Sequence, residues 1–162
     1  MKFSPTPILI LIFCVLILNA CDSSRVFEQN TDLENGYWPK NDVKAFDFEI
    51  KDETEAYNIY YNIRNSISYP YHNLYLTYSI EDSLGNNISQ ALQNMNLFDP
   101  KTGEPVGSGL GDIFDIQILA LKDFKFKHPG KYTFRMQQFM RMDTLPDILA
   151  VGMRIERATQ KN

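Results

Sequence analysis

The chain of 162 residues carries 20 acidic against 16 basic side chains, a formal net charge of −4, and shows no basic cluster. That balance excludes the phosphate-neutralising surface on which nucleic-acid binding depends, so no nucleic-acid partner is expected. Its two cysteines, Cys14 and Cys21, both lie near the amino end, and the remaining chain offers no disulfide, thiolate metal site or cysteine nucleophile.

Apart from Lys2, residues 1–20 are uncharged, and Ile8 to Leu18 is almost wholly apolar. Such a run rises only ~16 Å as a helix, about half of a hydrocarbon core, which suits the h-region of a secretory signal and is too short to span. An ordinary signal would end in small-x-small. Leu18-Asn19-Ala20-Cys21 instead resembles the bacterial lipobox. The resemblance implies cleavage before Cys21, diacylation through its sulfur and acylation of the new amine. Two or more acyl chains hold a protein stably to a bilayer, at about 0.8 kcal/mol per buried CH2. Residues 1–20 are therefore read as a lipoprotein signal peptide and Cys21 as the membrane anchor. Residues 21–30 form a polar lead, read as a tether, with a first strand as an alternative for part of it. Residues 31–162 form one domain.

From there the period is two. Phe46, Phe48 and Ile50 alternate with Asp47, Glu49 and Lys51; Tyr57, Ile59, Tyr61 and Ile63 alternate with Asn58, Tyr60, Asn62 and Arg64. Leu74, Leu76, Tyr78 and Ile80 share one parity, as do Tyr132, Phe134, Met136 and Met140, and then Leu149, Val151, Met153 and Ile155. Side chains of a strand leave alternate faces, so these runs predict half-buried antiparallel strands. Turn chemistry falls between them, at Tyr69 to Asn73, Asp82 to Asn87, Asp99 to Pro105 and His128 to Gly130. Gln90 to Leu97 lies between turn signals and is read as strand. The pattern predicts an all-β fold, an antiparallel β-sandwich of about seven to nine strands, jelly-roll or immunoglobulin-like.

No constellation for chemistry emerges. Gly107-Ser108-Gly109-Leu110-Gly111-Asp112 lacks the strand and helix that a dinucleotide or phosphate loop needs, and is read as a glycine-rich loop with positive φ angles. Asp112 with Asp115, and Asp82 with Asn86 and Asn87, supply too few oxygens for calcium and are read as solvated turn residues. His72 lies two residues after Pro70 and His128 directly before Pro129, both in turn-like sequence, and no strained nucleophile elbow accompanies them. No enzyme activity, metal or cofactor is expected. The aromatics carry more. Trp38, placed in a loop, and Tyr69, Tyr71 and Tyr75 are candidate rings for a protein partner or a sugar face, with core packing as the alternative.

Taken in order, the lipobox, Trp38-Pro39, Phe46 to Ile50, Ile63-Arg64-Asn65, Tyr69-Pro70-Tyr71 with Asn73 to Leu76, Gly107 to Asp112, Pro129 to Tyr132, and Met140 to Asp143 through Val151 to Glu156 resemble the gliding-motility lipoprotein family GldH of Bacteroidota. The resemblance implies a lipoprotein held to a membrane through Cys21, outer membrane by expectation, facing periplasm or surface. Its implied partners are other gliding or secretion proteins of the envelope. The implied role is a non-enzymatic scaffold; the alternative is a surface glycan-binding module. No catalytic residues come with the resemblance.

Overall fold

Residues 24–159 are described by the computed structural model; the expected signal peptide, residues 1–20, and the expected anchor Cys21 lie outside them. Eight long strands carry the fold: β1 (Arg25–Asp32), β3 (Lys44–Ile50), β4 (Tyr57–Ser66), β5 (Asn73–Asp82), β6 (Asn87–Asn96), β8 (Ile113–Phe124), β9 (Gly130–Gln138) and β11 (Ile148–Arg157). Three strands of three residues each add β2 (Tyr37–Pro39), β7 (Ser108–Leu110) and β10 (Thr144–Pro146). The total of 11 exceeds the expected seven to nine because such short strands leave no periodic trace.

The strands form an antiparallel five-stranded sheet in the order β1-β11-β4-β8-β7 and a four-stranded sheet in the order β3-β9-β5-β6, with β10-β2 as a small ribbon. Among the eight long strands, the first, eighth, third and sixth make one sheet, and the second, seventh, fourth and fifth the other. That interleaving is the jelly roll, which settles the choice of topology. The lead read as a tether is strand from Arg25 onward, because β1 pairs along β11 from Arg25↔Glu156 to Asp32↔Ala150.

Facing sides of the two sheets supply one core. Tyr61 of β4 meets Phe134 of β9 edge-on at 5.9 Å, and Phe134 stacks on Tyr78 at 5.6 Å. Phe48, Phe126 and Tyr132 form a second aromatic knot, with Phe126 and Tyr132 at 4.7 Å. With no disulfide in reach, this aromatic area drives the fold.

Two expectations are corrected. Trp38 is not in a loop: it lies in β2, opposite Leu145 of β10, fully buried, with its indole N–H donating to the Asp42 carbonyl at 2.9 Å. Turn residues around Trp38 hid a strand too short to show alternation. Gly107 to Asp112 is not a simple loop either, since β7 pairs with the start of β8. Only Gly111 has positive φ, at 64°. Gly107 and Gly109 serve close approach instead: a Cβ at Gly109 would sit 2.1 Å from the Ile113 carbonyl oxygen.

Candidate functional site

The outer face of the four-stranded sheet carries an aromatic platform. Alternation turns Leu74 and Leu76 inward and Tyr75 outward on β5, where it is 40% exposed. Beside it, Phe139 follows β9 and is 52% exposed, its backbone N–H donating to the Tyr75 carbonyl at 2.8 Å. Gln138 and Met140, its neighbours, are both buried, so Phe139 must project to solvent. Gln138 fixes that geometry. Its amide nitrogen donates to the carbonyls of Met142 at 3.1 Å and Trp38 at 3.5 Å, and its side-chain oxygen accepts from the Met140 N–H at 2.8 Å. A buried amide satisfied on both sides rigidifies the turn that presents Phe139. The ammonium of Lys40 lies 5.6 Å from the Phe139 ring centre, a cation–π contact. One row further along the sheet, Leu92 of β6 stands opposite Thr77 and is 51% exposed.

The four predicted rings do not gather. Trp38 is core, as above. Tyr69 is also core, 5% exposed, stacked on Phe98 at 6.5 Å and donating from its hydroxyl to the Asn73 carbonyl at 2.9 Å. Burial pushes its phenol well above the ordinary value, so it stays a neutral donor. Proline beside Tyr69 marked a turn, but the ring folds back under it. Tyr71 packs edge-on against Tyr69 at 5.8 Å and remains 36% exposed. Tyr71 and Tyr75 thus remain as surface rings, joined by the ring of Phe139 and the aliphatic side chain of Leu92. No local motif marks either residue, although Phe139 sits at odd parity in a run whose inward residues are even.

The outer face of the five-stranded sheet differs in kind. Gln117 donates to Asn62 at 3.1 Å, and Asn62 donates to Asn30 at 3.0 Å and to Glu28 at 3.1 Å, a row of amides across three strands. Asn30 folds over Gly152, where a Cβ would lie 2.0 Å from its side-chain oxygen. Arg64 pairs with Asp115 at 2.8 Å and Arg154 with Glu28 at 3.0 Å. Burial raises the Glu28 carboxyl, but Arg25, Arg154 and Asn62 together outweigh it and hold the group below its ordinary value. A shallow hollow of about 400 Å³ runs along this face.

The remaining candidates resolve into turns. The Asp82 carboxylate accepts from the N–H groups of Leu84 and Asn86, each at 2.9 Å, closing the β5–β6 hairpin. Asp115 belongs to the ion pair with Arg64. His72 and His128 are exposed and serve through their carbonyls, which accept from the Leu97 and Phe98 amides and from the Tyr132 hydroxyl. Among the described residues, no three His, Cys, Asp or Glu side chains converge as a metal site would require.

Comparison with known proteins adds a lineage to this geometry. The family model described as GldH lipoprotein matches residues 25–155. A protein of Christiangramia forsetii, named "Gliding motility lipoprotein GldH homolog", is 32% identical over 93% of this chain and 95% of its own length. A protein of Flavobacterium johnsoniae, named "Gliding motility lipoprotein GldH", is 32% identical over 91% of this chain and 94% of its own. Among solved structures, infectious bursal disease virus VP2 from a subviral particle matches 83% of this chain with a TM-score of 0.37 and 9% identity. This chain spans 33% of that protein's length.

Proposed function

The chain belongs to the GldH lipoprotein family, and from that premise we propose that it is a non-enzymatic scaffold of the gliding machinery, docking envelope proteins on the outer face of its four-stranded sheet. The observation that carries the reading is Phe139 beside Tyr75, two large rings held outward on one sheet face, with the half-exposed Leu92 one row away. Aromatic side chains bring contact area at low entropic cost and dominate binding where they sit on rigid elements. Tyr71 extends the exposed aromatic surface from the β4–β5 connection. Membership makes the protein a lipid-anchored component of the cell envelope; Cys21 as the acylated residue and the outer membrane as its location are part of the proposal.

The test is Tyr75→Ala with Phe139→Ala in the full-length lipoprotein, scored for gliding after complementation of a strain lacking its own GldH. Lost gliding at unchanged lipoprotein abundance is the expected result. Normal gliding at normal abundance removes the platform from consideration.

Glycan binding is the second reading, and the amide row of Asn30, Asn62 and Gln117 favours it. Planar amides flanked by arginine and carboxylate suit hydroxyl groups, and the hollow above them is open. Asn62→Ala is expected to abolish retention on polysaccharide columns if that reading holds. Equal mobility of variant and parent across a broad glycan panel counts against it.

A further inference from the structure

A strand at a sheet edge is a template for another strand, and folds protect their edges by charge, bulges, shortness or cover. Three edges here are protected. β1 carries Arg25, Glu28 and Asp32 and is bulged between Arg25 and Phe27. β3 carries Lys44, Asp47 and Glu49. β7 has only three residues, and the open flank of β8 beyond it is met at the Ala120 carbonyl by the Gln93 amide, 3.0 Å away. β6 is the least protected. Its one bulge lies near its start at Ile88, and from Ser89 to Asn96 it runs in unbroken register with β5. Its ten residues, NISQALQNMN, contain no charge, no proline and no glycine, and they pair on one side only, with β5.

We propose that β6 is the edge through which two copies of this chain pair, antiparallel about a two-fold axis centred on Leu92. The argument for a second copy rests on self-complementarity. A two-fold interface sets each patch against itself, so a charged edge repels its copy while an uncharged one does not. Such an axis also pairs residues of like parity, outer with outer and inner with inner. Centred on Leu92, it sets that half-exposed side chain against its counterpart and places Gln90 opposite Asn94 of the other copy, amide against amide. The two four-stranded sheets then run on as one, and both Tyr75–Phe139 platforms share a face. One ladder and one leucine pair are small beside the roughly 1,200–2,000 Å² of a stable interface, so the pairing depends on copies crowded together, as on a membrane. The inference stands on the edge itself and does not need the docking platform to be correct.

The test places single cysteines in the full-length lipoprotein, expressed with two different tags in one cell and oxidised in intact membranes. Leu92→Cys is expected to give a reducible dimer containing both tags. Gln90→Cys and Asn94→Cys are expected to link to each other and not each to itself, which fixes the register. Asp47→Cys on β3 reports background collisions. Monomer alone at Leu92→Cys, or a dimer no stronger than that of Asp47→Cys, overturns the proposal. So does a Leu92→Cys adduct with a different protein, which would make β6 a docking edge for a foreign strand.

Discussion

The two edges of the four-stranded sheet invite comparison, because they flank the same two strands and bury side chains in the same core. β3 alternates buried Phe46, Phe48 and Ile50 with charged or small residues, and its first residue, Lys44, pairs with Asp42 at 2.8 Å. Its outer parity carries Asp47 and Glu49, which deter an incoming strand. β6 buries only Met95 among its ten residues, yet its exposed side carries amides, Ile88 and Leu92 with no formal charge. Core packing cannot explain the difference, since the strand that contributes less to the core is the one left unprotected. Unequal protection on the two edges of one sheet points to a difference in what each edge meets outside the domain.

The comparison can be broken most severely from the middle. Phe134 of β9 packs on Tyr78 and Tyr61, and Phe134→Ala is expected to cost about 3–5 kcal/mol, lowering the denaturation midpoint and removing both edges together. Gln138→Ala comes next. It strips hydrogen bonds from three backbone groups, at a cost of about 1–3 kcal/mol for those left buried and unsatisfied, and it frees the turn carrying Phe139. Proteolysis within residues 139–143 should therefore accelerate before the sheet itself opens. Charging β6 should separate edge from fold: Leu92→Lys is expected to leave the denaturation midpoint within about 0.5 kcal/mol of the parent while abolishing association in membranes. The reverse change, Asp47→Asn with Glu49→Gln, should make β3 prone to aggregation, seen as light scattering on concentration.

Acid should produce the smallest effect and spare neither edge. Asp82 is held below its ordinary value by the Asn86 side chain and amide, and Asp99 by the Thr102 and Lys101 amides, one at each end of β6. Asp52, just after β3, is lowered by the Thr54 hydroxyl and amide. A depressed carboxylate contributes stability that is present above its unfolded pKa, about 4, and is lost as pH falls through the lower folded value. Melting temperature should hold steady down to about pH 5 and fall below about pH 4.

Where alternation was long, the sequence was readable. Tyr57 to Ile63 and Leu74 to Ile80 show their parity because each strand has one buried and one less buried face. β11 illustrates how a bulge defeats parity: register shifts between Ile148 and Ala150, so Leu149 is only half-buried although it shares the parity of Val151. For Trp38 and Tyr69 the sequence offers both a core and a surface role, and it does not separate them from Tyr71 and Tyr75, because their burial depends on Leu145, Phe98 and Gln138 far away in the chain. The jelly-roll order was illegible for the same reason, since it records which distant strands pair. The uncharged character of β6 was open to view throughout; its meaning required knowing that β6 is an edge.

Finally, β1 and β11 bring the two ends of the domain together. Arg25 faces Glu156, and the Arg157 amide donates to the Ser24 carbonyl at 2.8 Å. Tension applied between these ends would open the ladder like a zipper, one pair at a time, at low force. Tension between the amino end and the far sheet would instead load many hydrogen bonds at once, in shear through the packed core. The fold therefore resists pull most strongly when load is taken by the β3-β9-β5-β6 sheet rather than between the paired ends of β1 and β11.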